Sequence, residues 1–183
     1  MEIQNLTIRK AHAEDSSILY ALIKEFALYE KRPQDVTGTQ EQLRHWLFER
    51  KIASVLLAEY NGDAIGYALY YPVFGSFSAT GKVHLEDIFI RQKFRGLGVG
   101  KRLLAKAAEF VLADGYEEME WSCLAWNKPS LAFYKKLGAQ EDTGRRYLRL
   151  DKSALETMAP QFRKDAETEA SASAACGTPD SSI

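Results

Sequence analysis

The chain has 183 residues, 46% of them hydrophobic, with 24 Lys and Arg against 25 Asp and Glu for a net charge of −1. That length and apolar content suit one globular domain with a buried core. The balanced charge leaves no basic excess to hold a phosphate backbone, which argues against nucleic acid as a partner.

In chain order, Ile3 to Arg9 alternates apolar and polar residues and predicts a first strand. Asp15-Ser16 is a capping signal ahead of Ile18, Leu19, Leu22, Ile23 and Phe26 at helical spacing. That helix ends near Tyr29 or Glu30, because Pro33 disfavours helix at the residue before it. A weaker helix over Gln40 to Arg50 is opened by Thr37 or Thr39. Val55–Tyr60 and Ala64–Tyr71 flank Asn61-Gly62-Asp63, a hairpin turn signal. Phe74 to Gly81 reads as a polar and aromatic loop, and Val83 to Ile90 as the next strand.

After that strand comes Arg95-Gly96-Leu97-Gly98-Val99-Gly100, and then Lys101 to Ala113 presents Leu103, Leu104, Ala107, Ala108 and Val111 on one helix face, stopped by Gly115. Met119 to Leu124 predicts a further strand, Pro129 to Leu137 a helix, and Arg146 to Leu150 a last strand. The sum is a mixed α/β chain, one domain over residues 1–159. Residues 160–183 are small, polar and without period, the composition of a disordered tail.

Cys123 and Cys176 are too few for a disulfide framework or a zinc site. His12, His45 and His84 are isolated, with no second ligand at metal spacing, so no metal is expected. Met1 to Lys10 shows no charged leader followed by an apolar run, and no stretch approaches the roughly 18 apolar residues of a membrane span. A cytoplasmic protein without a membrane partner is the expectation.

The chemistry starts at Arg95 to Gly100. Three glycines at alternate positions between a strand and a helix let backbone N–H groups approach a phosphate, with the helix N-terminus behind them. A Walker A loop is excluded, since Arg occupies positions 95 and 102 where Gly and Ser or Thr belong. A dinucleotide fingerprint is excluded because its third glycine comes one residue early.

Arg95-Gly96-Leu97-Gly98-Val99-Gly100 resembles the acyl-CoA pyrophosphate loop of the GNAT superfamily. The blocks Leu85-Glu86-Asp87-Ile88-Phe89-Ile90, Trp126-Asn127-Lys128-Pro129-Ser130 and Phe133-Tyr134-Lys135-Lys136-Leu137-Gly138-Ala139, with Ile23-Lys24-Glu25 and Tyr29-Glu30, extend the resemblance over about residues 6 to 155. They point to its spermidine/spermine (diamine) and thialysine acetyltransferase branch. The resemblance implies the GNAT fold, a central twisted mixed β-sheet flanked by helices, and a homodimer. It implies acetyl transfer from acetyl-CoA, as cosubstrate, to a primary amine of a small molecule. A protein N-acetyltransferase and a non-catalytic acyl-CoA-binding module are the competing readings.

An alkylammonium has a pKa near 10, so a base must take its proton before nitrogen attacks a thioester. The resemblance makes Glu86 that base, acting through water, and makes Tyr134 the acid that protonates the CoA thiolate. It assigns acetyl-CoA contacts to Ile88, Phe89 and Ile90, to the loop Arg95, Gly96, Leu97, Gly98, Val99 and Gly100, and to Asn127, Ser130 and Lys135. Asn127 also suits a helix cap, and Lys135 equally suits a solvated helix charge. Tyr29, Glu30 and Asp87 are carried over as amine-binding residues. In a regular strand Glu86 and Asp87 would face opposite sides, which a β-bulge would relax. One departure bears on the substrate: Phe74 to Lys82 contains no acidic residue, where the polyamine enzymes have acidic and aromatic character. That puts a long polycation at a disadvantage.

Overall fold

The computed structural model describes residues 5–144 and 147–159. They fall into two compact units divided between Lys128 and Pro129, and each is taken by itself.

The first unit holds a five-stranded sheet in the order β1 (Leu6–Lys10), β2 (Ser54–Tyr60), β3 (Asp63–Gly75), β4 (Thr80–Ile90) and β5 (Met119–Glu120). The first three pairings are antiparallel and the β4–β5 pairing is parallel. Helix α3 (Val99–Ala113) makes the crossover that a parallel pair requires. Helix α1 (Ser16–Tyr29) follows β1, and α2 (Gln40–Arg44) runs on into a single π-helical segment, His45–Glu49.

Both faces of the sheet are covered, which is why β2 reads as a continuous apolar run rather than an alternation. Leu56, Ala58, Ala68, Tyr70, Val83 and Leu85 pack with Val99, Leu103, Ala107 and Val111 of α3. Val55, Leu57, Tyr67 and Phe89 pack on the other face with Leu19 and Leu22 of α1 and Leu47.

Several local signals act as expected. Thr39 opens α2 with a capping box, its Oγ1 accepting from the Gln42 amide at 3.2 Å while the Gln42 side chain accepts from the Thr39 amide at 2.9 Å. Asn61 and Gly62 both take positive φ, at 52° and 87°, between Tyr60 and Asp63, which pair with each other. Asp15 stands at the start of α1 but makes no side-chain cap for it; its carboxylate instead accepts from the His12 amide at 2.7 Å and takes two hydrogen bonds from Arg9, at 2.7 and 2.8 Å.

Other expectations are corrected. Phe74 to Gly81 is not a loop, because β3 runs to Gly75 and β4 starts at Thr80, pairing Phe74 with Gly81. Polar, aromatic composition is compatible with a two-stranded arm exposed to solvent, and Phe77 at its tip is fully exposed. The strand expected over Met119–Leu124 is only Met119–Glu120. α3 starts at Val99, two residues before Lys101.

Helix α4 (Lys128–Lys136) lies in the second unit from Pro129 on and ends shortly before Gly138, which takes φ 91°. Residues 147–150 have no regular structure where a strand was expected, and Arg146 lies outside the described residues. A further helix covers 152–159, where none was expected from the sequence; it is opened by Asp151, whose carboxylate accepts from the Ala154 amide at 2.9 Å. The tail expected from residue 160 lies outside the described residues.

Candidate functional site

The glycine loop is built by conformation rather than by space. Gly96 and Gly98 take φ of 77° and 80°, and a Cβ at either would meet nothing within 4 Å. An L side chain is disfavoured there for backbone reasons alone. Gly98 is the N-cap of α3 and no side chain caps it. The amides of the first turn therefore have no side-chain cap as acceptor and, with the helix dipole behind them, suit an anion. Val99 is buried in the core beneath the loop, Gly100 is already helical and Leu97 is exposed.

Arg95 is used locally. Its Nε donates to the Ile90 carbonyl at 2.8 Å, and its guanidinium lies 4.1 Å from the Tyr29 ring centroid and 5.6 Å from that of Phe89. The residue thus ties the end of β4, the loop and the end of α1 together. Arg91 does the same further along, with Glu25 of α1 at 2.6 Å and the Ala64 carbonyl at 2.7 Å.

β4 carries the carboxylates. Its pairing with β5 covers only Val83 with Met119 and His84 with Glu120, so the stretch from Leu85 to Ile90, including Ile88 and Phe89, has no β5 ladder beside it. A strand edge of that kind offers peptide groups to an extended ligand. On its other edge the ladder slips: Leu69 pairs with Asp87 and Tyr70 with Leu85, leaving Glu86 without a partner. Glu86 is the extra residue of a β-bulge.

The strand is not regular here, and the bulge relaxes the alternation that would put the two carboxylates on opposite faces. Asp87 accepts from the Tyr67 hydroxyl at 2.8 Å, and Glu86 accepts from the Tyr71 hydroxyl at 3.0 Å. Tyr67 and Tyr71 are four residues apart on β3, hence on one face of the sheet, and the two carboxylates follow them there. Burial pushes the Asp87 carboxyl up to about 6; the Tyr67 hydrogen bond opposes this, and the charges of Glu86 and Glu30 add to it. Burial and the Asp87 charge hold the Tyr67 phenol well above its ordinary value, so it remains a donor.

Glu30 stands at the C-terminal end of α1, and burial raises its carboxyl despite Arg32 at 4.0 Å. Its charge is felt by Asp87, Tyr67 and the thiol of Cys123. Glu30, Glu86 and Asp87 are therefore one electrostatic group. Tyr29 donates to the Asn127 side chain at 3.0 Å, and its ring lies 6.0 Å from that of Trp126. Asn127 is buried immediately before α4.

In the second unit, Ser130 lies in the first turn of α4 and Tyr134 near its end, the Tyr134 ring 5.3 Å from that of Phe133. Lys135 is exposed and pairs with Glu141 at 3.4 Å.

Sequence reasoning missed Tyr67, Tyr71, His84 and Glu120, which contact or flank the two carboxylates. The i, i+4 tyrosines of a strand facing a Glu-Asp strand were the available signal. Among the described residues no His, Cys, Asp or Glu group is arranged to hold a metal ion, and no helix is long and apolar enough to cross a membrane.

The family described as Acetyltransferase (GNAT) matches residues 18–139. The thialysine N-epsilon-acetyltransferase of Sus scrofa is 32% identical over 148 residues, 76% of this chain and 86% of its own length. The spermidine/spermine N(1)-acetyltransferase-like protein 1 of Homo sapiens is 29% identical over 164 residues, 83% of this chain and 23% of its own. A solved aminoglycoside acetyltransferase from an uncultured soil metagenomic sample has a TM-score of 0.71 at 21% identity, covering 82% of this chain and 100% of that one. That last likeness speaks to the fold alone.

Proposed function

This chain belongs to the GNAT acetyltransferase family and is an acetyl-CoA-dependent N-acetyltransferase, and on that premise we propose that its acceptor is the primary amine of a small molecule, a diamine, a polyamine or a lysine-like amino acid. The observation that carries the proposal is the clustering of Glu30, Glu86 and Asp87 beside the unladdered edge of β4. The Asp87 carboxyl, raised by burial and by the charges of Glu86 and Glu30, is relieved by an incoming ammonium group, so the site selects a cation.

The residues present fit acetyl-CoA. The amides behind Gly96 and Gly98 and the uncapped start of α3 suit its pyrophosphate, and the open edge of β4 at Ile88 to Ile90 suits its amide-bearing arm. Asn127, Ser130 and Lys135 are the further contacts in this proposal. Acetyl-CoA supplies the acetyl group as a thioester.

Glu86 takes the ammonium proton through water, freeing the nitrogen lone pair for the acetyl carbonyl. A backbone N–H of Ile88 to Ile90 donates to the carbonyl oxygen as charge develops on it. Tyr134 gives its phenolic proton to the departing sulfur. Asp87, with Tyr29 and Glu30, binds the amine.

Within the substrate class, lysine-like amino acids and short diamines are favoured over spermine. The arm from Phe74 to Lys82 has no carboxylate, and Lys82 is itself neutralised by Glu118 at 2.5 Å. The activity named for the pig relative, on thialysine, agrees with that preference. The same proposal makes the protein a cytoplasmic homodimer, with residues 1–159 acting as one catalytic domain, and assigns it no metal and neither a nucleic-acid nor a membrane partner.

The test is release of free CoA from acetyl-CoA with putrescine, spermidine, spermine, lysine, thialysine and an N-terminal peptide. Turnover of thialysine, lysine or putrescine ahead of spermine is expected, sharply reduced in Glu86→Gln and Tyr134→Phe. Preference for the peptide would overturn the substrate class, and acetyl-CoA binding without any turnover would overturn the catalytic assignment.

A further inference from the structure

Glu86 is half exposed, with 51% of its side-chain surface open to solvent. An exposed glutamate samples several rotamers, and a base that must meet one proton gains from being held in one of them. The neighbours of Glu86 are arranged to do this. The Tyr71 hydroxyl donates to Oε2 at 3.0 Å, and Nε2 of His84 lies 3.8 Å from the same oxygen. The second distance is within ion-pair range and beyond hydrogen-bond length. Among the described residues Oε1 takes no hydrogen bond, so one oxygen is held and the other is left for water or amine.

His84 is itself held. Its ring lies 5.3 Å from that of Tyr71 at an interplanar angle of 30°, and its other nitrogen, Nδ1, lies 3.8 Å from Oε1 of Glu120. The His84 side chain is nearly buried, at 11% exposure, while both carboxylates reach solvent. The ladders require this stacking: Tyr71 pairs with His84 across β3 and β4, and His84 pairs with Glu120 at the last rung before β4 and β5 part. The titratable groups that face the ring are Glu86 on its own strand, Tyr71 on β3 and Glu120 on β5.

Resting on the acetyl-transfer reading above, we infer that His84 is a positioning residue for Glu86. With Tyr71 it fixes Oε2 so that Oε1 acts as the base, and Glu120 holds the imidazole from the far side. Glu86 lies two positions along β4 from His84, so the strand's alternation puts both side chains on one face, and the bulge adds Asp87 to that face.

The experiment is a double-mutant cycle on the fastest amine of the panel above. Wild type, His84→Ala, Glu86→Gln and the double variant are compared, with His84→Gln and Tyr71→Phe beside them. Glu86→Gln lowers kcat about 100-fold. His84→Ala lowers kcat about 10-fold with the KM for acetyl-CoA unchanged, and has no further effect once Glu86 is Gln. His84→Gln, which keeps a donor on the ring's side, recovers part of the loss, and Tyr71→Phe lowers kcat to a similar degree as His84→Ala. If His84→Ala does not fold, the Gln and Tyr71→Phe variants carry the test. An unchanged kcat in the His84 variants, or an equal loss in both backgrounds, overturns the positioning role while leaving Glu86 as base. A wild-type kcat in Glu86→Gln overturns the catalytic reading instead, and the role of His84 with it.

Discussion

Tyr67 and Asp87 meet diagonally across β3 and β4. Their ladder partners are Phe89 and Leu69, yet the Tyr67 hydroxyl reaches the Asp87 carboxylate at 2.8 Å. The hydroxyl donates and the carboxylate oxygen accepts, but this bond does not offset the burial that raises the group from 3.8 to about 6. A charged Asp87 is thus a stability cost kept for another purpose.

Asp87→Asn is expected to stabilise the protein above pH 6 while reducing activity. Between about pH 4 and 6 the folded chain holds a proton here that the unfolded chain has released, so stability falls as pH rises through that window. Above it the charged group costs on the order of 3 kcal/mol, which the amide removes. Thermal melts at pH 8 should rise by roughly 5 °C or more, and the gain should vanish near pH 4. If the variant melts lower at pH 8, Asp87 is stabilising as a charge. In the wild type, the KM for the amine should rise as pH falls through about 6, where the carboxylate that faces the ammonium becomes neutral.

Gly98→Ala is expected to weaken acetyl-CoA binding with little effect on the amine. The added Cβ meets nothing within 4 Å, so the cost is the positive φ of 80° alone, about 1 kcal/mol. Relaxing that strain turns the first amides of α3 away from a phosphate. Isothermal titration with CoA should show a loss near tenfold, and an unchanged affinity would mean the loop does not hold the pyrophosphate.

Gly66→Ala tests packing rather than conformation. Its Cβ would sit 2.4 Å from the Phe89 carbonyl oxygen and 2.5 Å from Cδ1 of Ile90, so β3 and β4 must part. A loss of roughly 2–3 kcal/mol is expected from such overpacking, read as a drop in the urea midpoint. Because the displaced strand is the one beside the acetyl group in the proposed mechanism, kcat should fall with it.

Much of this was readable in the letters because it rests on local signals. The capping box at Thr39, the Asn61-Gly62 turn and the Gly-rich start of α3 each depend on residues within a few positions of one another. What was not readable depends on register. The Glu86 bulge, considered for this strand from the resemblance, is a one-residue slip against β3 whose position shows only once the strands are paired, and it brings Asp87 to the face of Glu86. The arm from Phe74 to Gly81 looked like a loop because its strands lie in solvent and lack an apolar stripe. Tyr67, Tyr71 and His84 carried no motif and became visible only once the strands were paired.

Arg95→Lys separates charge from shape in the loop. The first position of the loop is a cation in this chain, and its guanidinium stacks at 4.1 Å on Tyr29 and donates from Nε to Ile90 at 2.8 Å. Lysine keeps the charge and loses both the planar stack and the Nε donor. Tyr29 also donates to Asn127, so releasing its ring loosens the amine-binding residue and the buried amide together. Arg95→Lys is therefore expected to raise KM for both acetyl-CoA and the amine by several-fold. Tyr29→Phe, which keeps the ring under Arg95 and loses only the hydroxyl bond to Asn127, should raise both KM values by less than Arg95→Lys does. If Arg95→Lys raises only the acetyl-CoA KM, the side chain acts as a simple phosphate contact and the clamp to α1 has no part in catalysis.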